Sequence, residues 1–229
     1  MDWFSLLPVT WQHHYLQQKL VDNALADYLQ TPLPDPQQSL ADTEFLVLDF
    51  ETTGLNPQRD EILSAGYILI KHERVILAQA RHHVCRIRGQ VPAASAAIHQ
   101  ISDSQMQQGM DLEALLALLL AQLKGRVLIA HHAQIEQQFL NAACRQCYGH
   151  SLPMRIIDTL KLEQKRLQHQ QKTWKAAQLR LFNLRQHYGL PRYHAHHALE
   201  DAIATAELFL AQVNQNHAAG KQKIKYFLY

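Results

Sequence analysis

A chain of 229 residues, 47% hydrophobic and 18% charged, has enough apolar side chains for a buried core, which excludes a disordered polyelectrolyte. Its net charge of +2 is too small for the whole surface to attract a polyanion, so any nucleic-acid surface has to be local. No apolar run reaches the roughly 18–20 residues needed to span a bilayer, and the longest, residues 112–123, is interrupted by Glu113 and Gln122.

Met1-Asp2-Trp3-Phe4 lacks the basic start of a secretory signal, so a cytoplasmic location with no membrane partner is expected. Residues 11–30 read as one helix, with Thr10 as N-cap and Leu16, Leu20, Leu25 and Leu29 at roughly helical spacing. The prolines of Thr31-Pro32-Leu33-Pro34-Asp35-Pro36 end it, because proline lacks a backbone donor and disfavours helix at the residue before it. Residues 1–40 thus form a helical arm and stiff linker, open to packing on the main domain, on a partner or on a second copy. Residues 41–216 form the main domain and residues 217–229 a tail.

The main domain opens with an apolar run, Phe45-Leu46-Val47-Leu48-Asp49-Phe50-Glu51-Thr52, that reads as a buried strand ended by a turn at Gly54 and Pro57. Residues 62–70 and 75–84 are two more strands, joined as a hairpin by Lys71-His72-Glu73-Arg74. Helices follow over residues 92–101 and 110–124, then a short strand over 127–130. Residues 133–148 form a helix ended by Gly149. That helix holds Cys144 and Cys147, with Cys85 the remaining cysteine; an odd count suits a reducing cytoplasm, and no second pair supplies a zinc site. Residues 156–157 form a brief strand, and Asp158 caps the helix that starts at Thr159. A helix over 179–188 stops at Gly189 and Pro191, and residues 197–213 form the last helix. In the tail, Lys221, Lys223 and Lys225 alternate with Ile224 and Tyr226, the pattern of an added strand. The order predicts an α/β fold: a mixed sheet, mostly antiparallel at its start, with helices on both faces.

Three stretches carry candidate chemistry. Residues two apart on a strand point the same way, so Asp49 and Glu51 present two carboxylates on one face. They are either solvated residues at a strand end or ligands whose repulsion a divalent cation turns into coordination. Glu136 sits in the first turn of a helix after Ile129-Ala130-His131-His132-Ala133, where the helix dipole favours an acid with or without a metal. His196 and Asp201 are five apart and not on one helical face. With His196 in the loop and Asp201 inside the helix, both reach a common point; otherwise their pairing is chance.

In this order and at these separations the three stretches resemble the DnaQ-like family of 3′–5′ exonucleases, in its DEDDh branch, which includes the epsilon proofreading subunit of bacterial DNA polymerase III. Leu48-Asp49-Phe50-Glu51-Thr52-Thr53-Gly54-Leu55 is similar to the family's first motif, and His196 with Asp201 and Ala202 to its third. Ile98-His99-Gln100-Ile101 resembles its His-Gly-Ile element and Asp158-Thr159-Leu160 its Asp-Thr-Leu. The second motif, usually His-Asn-Ala-x-Phe-Asp, reads here with His132, Ile135 and Glu136 at the asparagine, phenylalanine and aspartate positions.

The resemblance implies a ribonuclease H-like five-stranded fold and a hydrolase with two Mg2+ or Mn2+ ions. Asp49 would bridge the ions, Glu51 and Asp201 would complete the first, and Glu136 would support the second. His196 would act as general base, since imidazole exchanges protons near neutral pH. Thr52, Thr53, Gly54, Leu55 and His99 would contact the terminal nucleotide. The expected activity is release of nucleoside 5′-monophosphates from single-stranded or frayed 3′ ends of DNA, in DNA repair and beside a DNA polymerase or other repair protein. Two alternatives stay open: a 3′–5′ exoribonuclease, and a non-catalytic nucleic-acid-binding or polymerase-tethering module. A basic stretch with Lys161, Lys165, Arg166, Lys172, Lys175 and Arg180 around Trp174 is either a solvated helix face or a track for a single strand.

Overall fold

The computed structural model describes residues 6–87, 106–193, 196–215 and 222–229. The expected helix over 92–101, with His99, lies outside the described residues. Five strands form one sheet in the order β3-β2-β1-β4-β5: β1 Phe45–Thr52, β2 Ile62–Lys71, β3 Arg74–Val84, β4 Val127–Ala130 and β5 Ile156–Asp158. β1–β2 and β2–β3 are antiparallel, while β4 runs parallel to β1 and β5 parallel to β4. This is the mixed five-stranded sheet that the strand order predicts. His72 and Glu73 turn the β2–β3 hairpin with φ of 48° and 56°, the left-handed conformation that matches strand twist in a two-residue turn.

The period of two along β1 sorts its side chains between two cores. Leu46, Leu48 and Phe50 face a cluster under α1 (Val9–Lys19), α2 (Ala24–Leu29), α3 (Leu112–Leu123) and α4 (Gln134–Tyr148). Phe45 and Val47 face the opposite layer, where α7 (Ala198–Asn214) supplies Phe209 and Val213. Asp49 and Glu51 continue that second row towards the carboxyl end of the strand. β1, β4 and β5 share a direction, so their carboxyl ends lie together; ligand sites of open α/β sheets form along this edge. Between β5 and α7 lie α5 (Thr159–His169), a 3₁₀ turn at Ala176–Leu179 and α6 (Leu181–His187).

The amino-terminal segment differs from the single helix expected. Asp22 has φ of 57°, and the Asn23 side chain accepts the Ala26 amide at 2.9 Å. A capping side chain starts a second helix there, where one continuous helix is expected from the apolar spacing. The first helix begins at Val9 behind Pro8, not at a Thr10 cap. Leu16, Leu25, Tyr28 and Leu29 are buried in the same cluster as α3, and the Tyr28 hydroxyl donates to the Pro153 carbonyl at 2.9 Å.

The tail also departs from its reading. Among the described residues it forms a 3₁₀ turn, Ile224–Tyr226, with single bridges Ser39↔Lys223 and Ile157↔Leu228, and no added strand. The reason is burial: Ile224 and Phe227, three apart, both point into the second core, a spacing that a turn satisfies and a strand does not. No described helix is long and apolar enough to cross a membrane.

Phe209 joins α7, β1 and the tail within the second core. It is 1% exposed, with its ring 5.4 Å from Phe45 and 6.3 Å from Phe227. Phe209→Ala should therefore cost about 3–5 kcal/mol, measured by urea unfolding. A loss below about 1 kcal/mol would show that the tail and α7 are not packed on β1 as described.

Candidate active site

The site is assembled from three elements meeting at the carboxyl end of β1. Glu51 is 6% exposed and Asp49 half-buried, both on the α7 side of the strand. The β1–β2 register shifts at Glu51–Thr52, so that Leu63 is an extra residue in β2. Such irregularities bend a strand and re-aim its side chains. The following turn is held by Asp60, which accepts the Asn56 amide at 2.8 Å. The Thr53 side-chain oxygen accepts the Glu61 amide at 2.9 Å. Thr52 Oγ1 donates to the Gly54 carbonyl at 2.6 Å. A Cβ on Gly54 would overlap the Asp60 carboxylate, which gives that glycine a structural reason. Leu55 stands 74% exposed beside the turn.

Asp201 arrives from α7. The β1–β2 register places Gly66 opposite Asp49, and a Cβ on Gly66 would overlap the backbone of Ala198 and Leu199. The missing side chain lets the first turn of α7 lie against the sheet. His197 caps that turn, and His196 before it has φ of 71°. The His196 amide donates to Asp201 Oδ2 at 3.2 Å. One carboxylate oxygen each from Asp49, Glu51 and Asp201 lie within 4.8 Å of one another.

Glu136 comes from the other face, in the first turn of α4, and is 3% exposed. Its Oε2 is buried without a hydrogen-bond partner, as is Asp201 Oδ1. The β4–α4 loop that carries it is tied down by Asp158, whose Oδ1 accepts the amides of His132 at 3.0 Å and Leu160 at 2.9 Å. His132 adopts φ of 64° to present that amide. His131 Nδ1 lies 2.8 Å from Thr159 Oγ1 and its Nε2 2.9 Å from the Leu179 carbonyl. Glu136 stands outside the cluster of Asp49, Glu51 and Asp201 but close enough for its charge to act on Asp49 and to feel that of Glu51, and Thr52–Leu55 continue the chain from Glu51.

Two positioning residues are absent from the sequence reading. Gly66 carried a signal, since an isolated glycine inside a strand pattern marks a close backbone approach. His82 did not: it pairs with Gly66 across β2–β3, and its ring lies 4.5 Å from that of His197. Burial first, then His197 and His83, lower its pKa to about 4. His82 is therefore a neutral plate under the α7 cap.

Burial raises every acid of the site. It pushes Asp49 well above the carboxylate range, with further repulsion from Glu136, Asp201 and Glu51. Glu51 rises to about 8 through burial and Asp201. Glu136 also rises to about 8, chiefly through burial, with Asp158 and Glu51 adding and the Phe50 amide opposing. Asp201 rises to about 6, burial outweighing the His196 amide. Clustered carboxylates raised chiefly by burial, with unpartnered oxygens on Glu136 and Asp201 and an all-oxygen donor set, fit a hard divalent cation.

The fold and this acidic site define an α/β nuclease-like domain of the ribonuclease H type. A family model described as Exonuclease, of the RNase T type, matches residues 46–209. The chain belongs to this exonuclease family. It is 29% identical over 186 residues to the PolC-type DNA polymerase III of Thermotoga maritima, covering 81% of this chain and 13% of the polymerase. It is 29% identical over 168 residues to the 3′–5′ exonuclease DinG of Staphylococcus haemolyticus, covering 73% of this chain and 18% of that protein. The chain thus spans less than a fifth of the length of either relative. Among solved structures, E. coli exonuclease I in complex with an oligonucleotide superposes with a TM-score of 0.66 at 16% identity, covering 82% of this chain and 43% of that one. Exonuclease X in complex with 5′-overhanging duplex DNA gives 0.60 at 19%, covering 79% and 97%.

Two outcomes test this geometry. With no cation bound, the raised carboxylates make the folded state hold more protons than the unfolded one. Their stabilisation is complete below the unfolded pKa of about 4 and is lost as pH rises through about 6 for Asp201 and about 8 for Glu51 and Glu136. Thermal melts in chelator should therefore fall from pH 5 to pH 9, and Mn2+ should reverse most of the fall. A melting temperature that rises with pH in chelator would contradict the arrangement. Separately, Gly66→Val should exceed the ~1–3 kcal/mol of ordinary overpacking and abolish the Mn2+ shift. Calorimetry showing a wild-type Mn2+ shift in that variant would mean that α7 does not rest on Gly66.

Proposed function

We propose that this chain is a divalent-metal-dependent 3′–5′ exonuclease that releases nucleoside 5′-monophosphates from single-stranded or frayed 3′ ends of DNA. The observation that carries the reading is the meeting of Asp49, Glu51 and Asp201 oxygens within 4.8 Å, with buried Glu136 pressing on Asp49 from the opposite layer. A structural role alone gives no reason to crowd mutually repelling acids, two buried and two half-buried, at the open end of a sheet.

Asp49, Glu51 and Asp201 would hold one Mg2+ or Mn2+ ion, and Asp49 with Glu136 a second. Bound there, a pair of such ions supplies charge for the attacking and departing oxygens of an in-line displacement. His196, on the strained turn before α7, accepts the proton of the attacking water. Its backbone amide already holds Asp201 Oδ2, so ligand and base move as one unit. The exposed Leu55 packs against the terminal base, and the Thr52–Gly54 backbone holds the terminal nucleotide close to the carboxylates. Glu136 adds one methylene to the aspartate of the family pattern and favours Mn2+ over the stricter octahedral Mg2+.

The name of the DinG relative supports the 3′–5′ direction, and the oligonucleotide and duplex complexes of the structural neighbours support DNA as the substrate. The polymerase relative supports a place beside a DNA polymerase in repair. Three free cysteines, two of them buried, suit a reducing cytoplasm.

Purified protein given 3′- and 5′-labelled DNA and RNA strands, with Mg2+, Mn2+ or chelator, tests the reading. Stepwise shortening of DNA from the 3′ end is expected with either metal and none in chelator. Asp49→Ala should lower the rate about 10³-fold or more, the worth of several kcal/mol of charge stabilisation. His196→Ala should lower it about 10²–10⁴-fold. Glu136→Asp should retain activity and shift preference towards Mg2+. Binding without shortening under every metal condition would replace the enzyme with a tethering module, and faster shortening of RNA would replace the substrate.

A further inference from the structure

The positive charge of this chain is concentrated in one stretch. Residues 159–193 carry eight lysines and arginines against one glutamate, while the other 194 residues carry fourteen against nineteen acids. Two of the eight are neutralised within the fold. Arg185 is 1% exposed and bonds Glu207 at 2.8 Å. Arg166 bonds Glu163 at 3.1 Å. Lys165, Lys172, Lys175, Arg180 and Arg192 are exposed.

Trp174 stands among these cations. It is half-buried, packed against the cluster of Leu179, Leu184 and Leu208, and so held as a rigid plate with part of its surface open. It lines a cavity of about 410 Å³ with Lys172, Arg166, Asn183 and His187, a volume within the ~300–1,000 Å³ of small-molecule pockets. This cavity is not remote from the carboxylates. Leu179 in its wall is the residue whose carbonyl meets His131 Nε2 at 2.9 Å, in the loop that delivers Glu136. α5 itself is capped by Asp158, which holds the same loop by the His132 amide.

We propose that the α5–α6 face binds single-stranded DNA on the 5′ side of the end held at the carboxylates, with Trp174 stacking one unpaired base and the surrounding cations tracking phosphates. A cluster of acids repels a polyanion, and a cationic face one loop away offsets that repulsion while the end is threaded in. A flat aromatic over an open cavity recognises the face of an unstacked base, which a duplex does not present. The inference takes its strand direction from the nuclease reading above, whereas binding itself can be measured without catalysis.

Anisotropy of a labelled 20-mer and of a trinucleotide, measured in chelator over a range of salt, tests it. The 20-mer should bind more tightly than the trinucleotide and than a blunt duplex of the same length. Trp174→Ala should weaken 20-mer binding roughly 5- to 150-fold, and Trp174→Phe should restore most of it, which guards against a merely unfolded variant. Lys172→Gln with Lys175→Gln should lower the salt slope by about 1.4, two phosphates' worth for a single strand. Wild-type affinity and slope in all these variants would overturn the surface, as would equal, Trp174-independent binding of polyglutamate. Shortening of DNA with unaltered variant binding would leave the nuclease and remove this face. Trp174-dependent binding with no shortening under any metal would keep the face and remove the nuclease.

Discussion

A single close contact sets the geometry of this molecule: the backbone of α7 at Ala198–Leu199 rests where the side chain of Gly66 would be. Gly66 is the cross-strand partner of Asp49, so the same contact brings the first turn of α7 over the strand that carries the first acid. From that point Asp201 reaches Asp49 and Glu51, and His196 is forced into the left-handed turn that orients its amide towards Asp201. Helix-on-sheet packing with a side chain between them would place α7 farther away and leave the carboxylates of β1 without their third partner.

The site draws on both layers of the sheet. Asp201 descends from the α7 side and Glu136 from the α4 side, so neither core alone makes it. Each helix is anchored independently: α7 by Phe209 between Phe45 and Phe227, α4 by Phe139 and Leu140 in the opposite cluster. That rigidity is what allows like charges to be crowded. Crowded carboxylates withdrawn from water raise their pKa values instead of staying ionised, and a scaffold with two cores can carry that cost.

Outside residues 46–209, the span of the family match, the arm and tail form a belt. The arm packs on α3, the linker carbonyl of Pro34 takes Arg155 Nε at 2.7 Å, and the tail crosses β5, with the Tyr229 amide on the Ile156 carbonyl at 2.9 Å. Arm and tail also meet, through Leu40 and Gln222 at 2.9 Å and Ile224 and Gln38 at 3.0 Å. Both ends therefore brace the parallel half of the sheet, whose carboxyl edge holds the site.

Much of this was legible from residue order because it depends on local periodicity. Alternation along Phe45–Thr52 places Asp49 and Glu51 on one face, the His72–Glu73 hairpin follows from turn length, and Asp158 is a cap by residue type. Motif order pointed to Glu136, His196 and Asp201 but could not bring them to a common point. The helix break at Asp22–Asn23 and the 3₁₀ tail depended on which apolar side chains find a core, a property of the whole chain and not of a window. The sequence by itself determined which acids were available and which strand and helices carry them. Only the tertiary structure decided that Asp201 meets Asp49 and Glu51, because that convergence rests on Gly66 and its distant neighbours Ala198 and Leu199, a contact between backbones that no local pattern encodes.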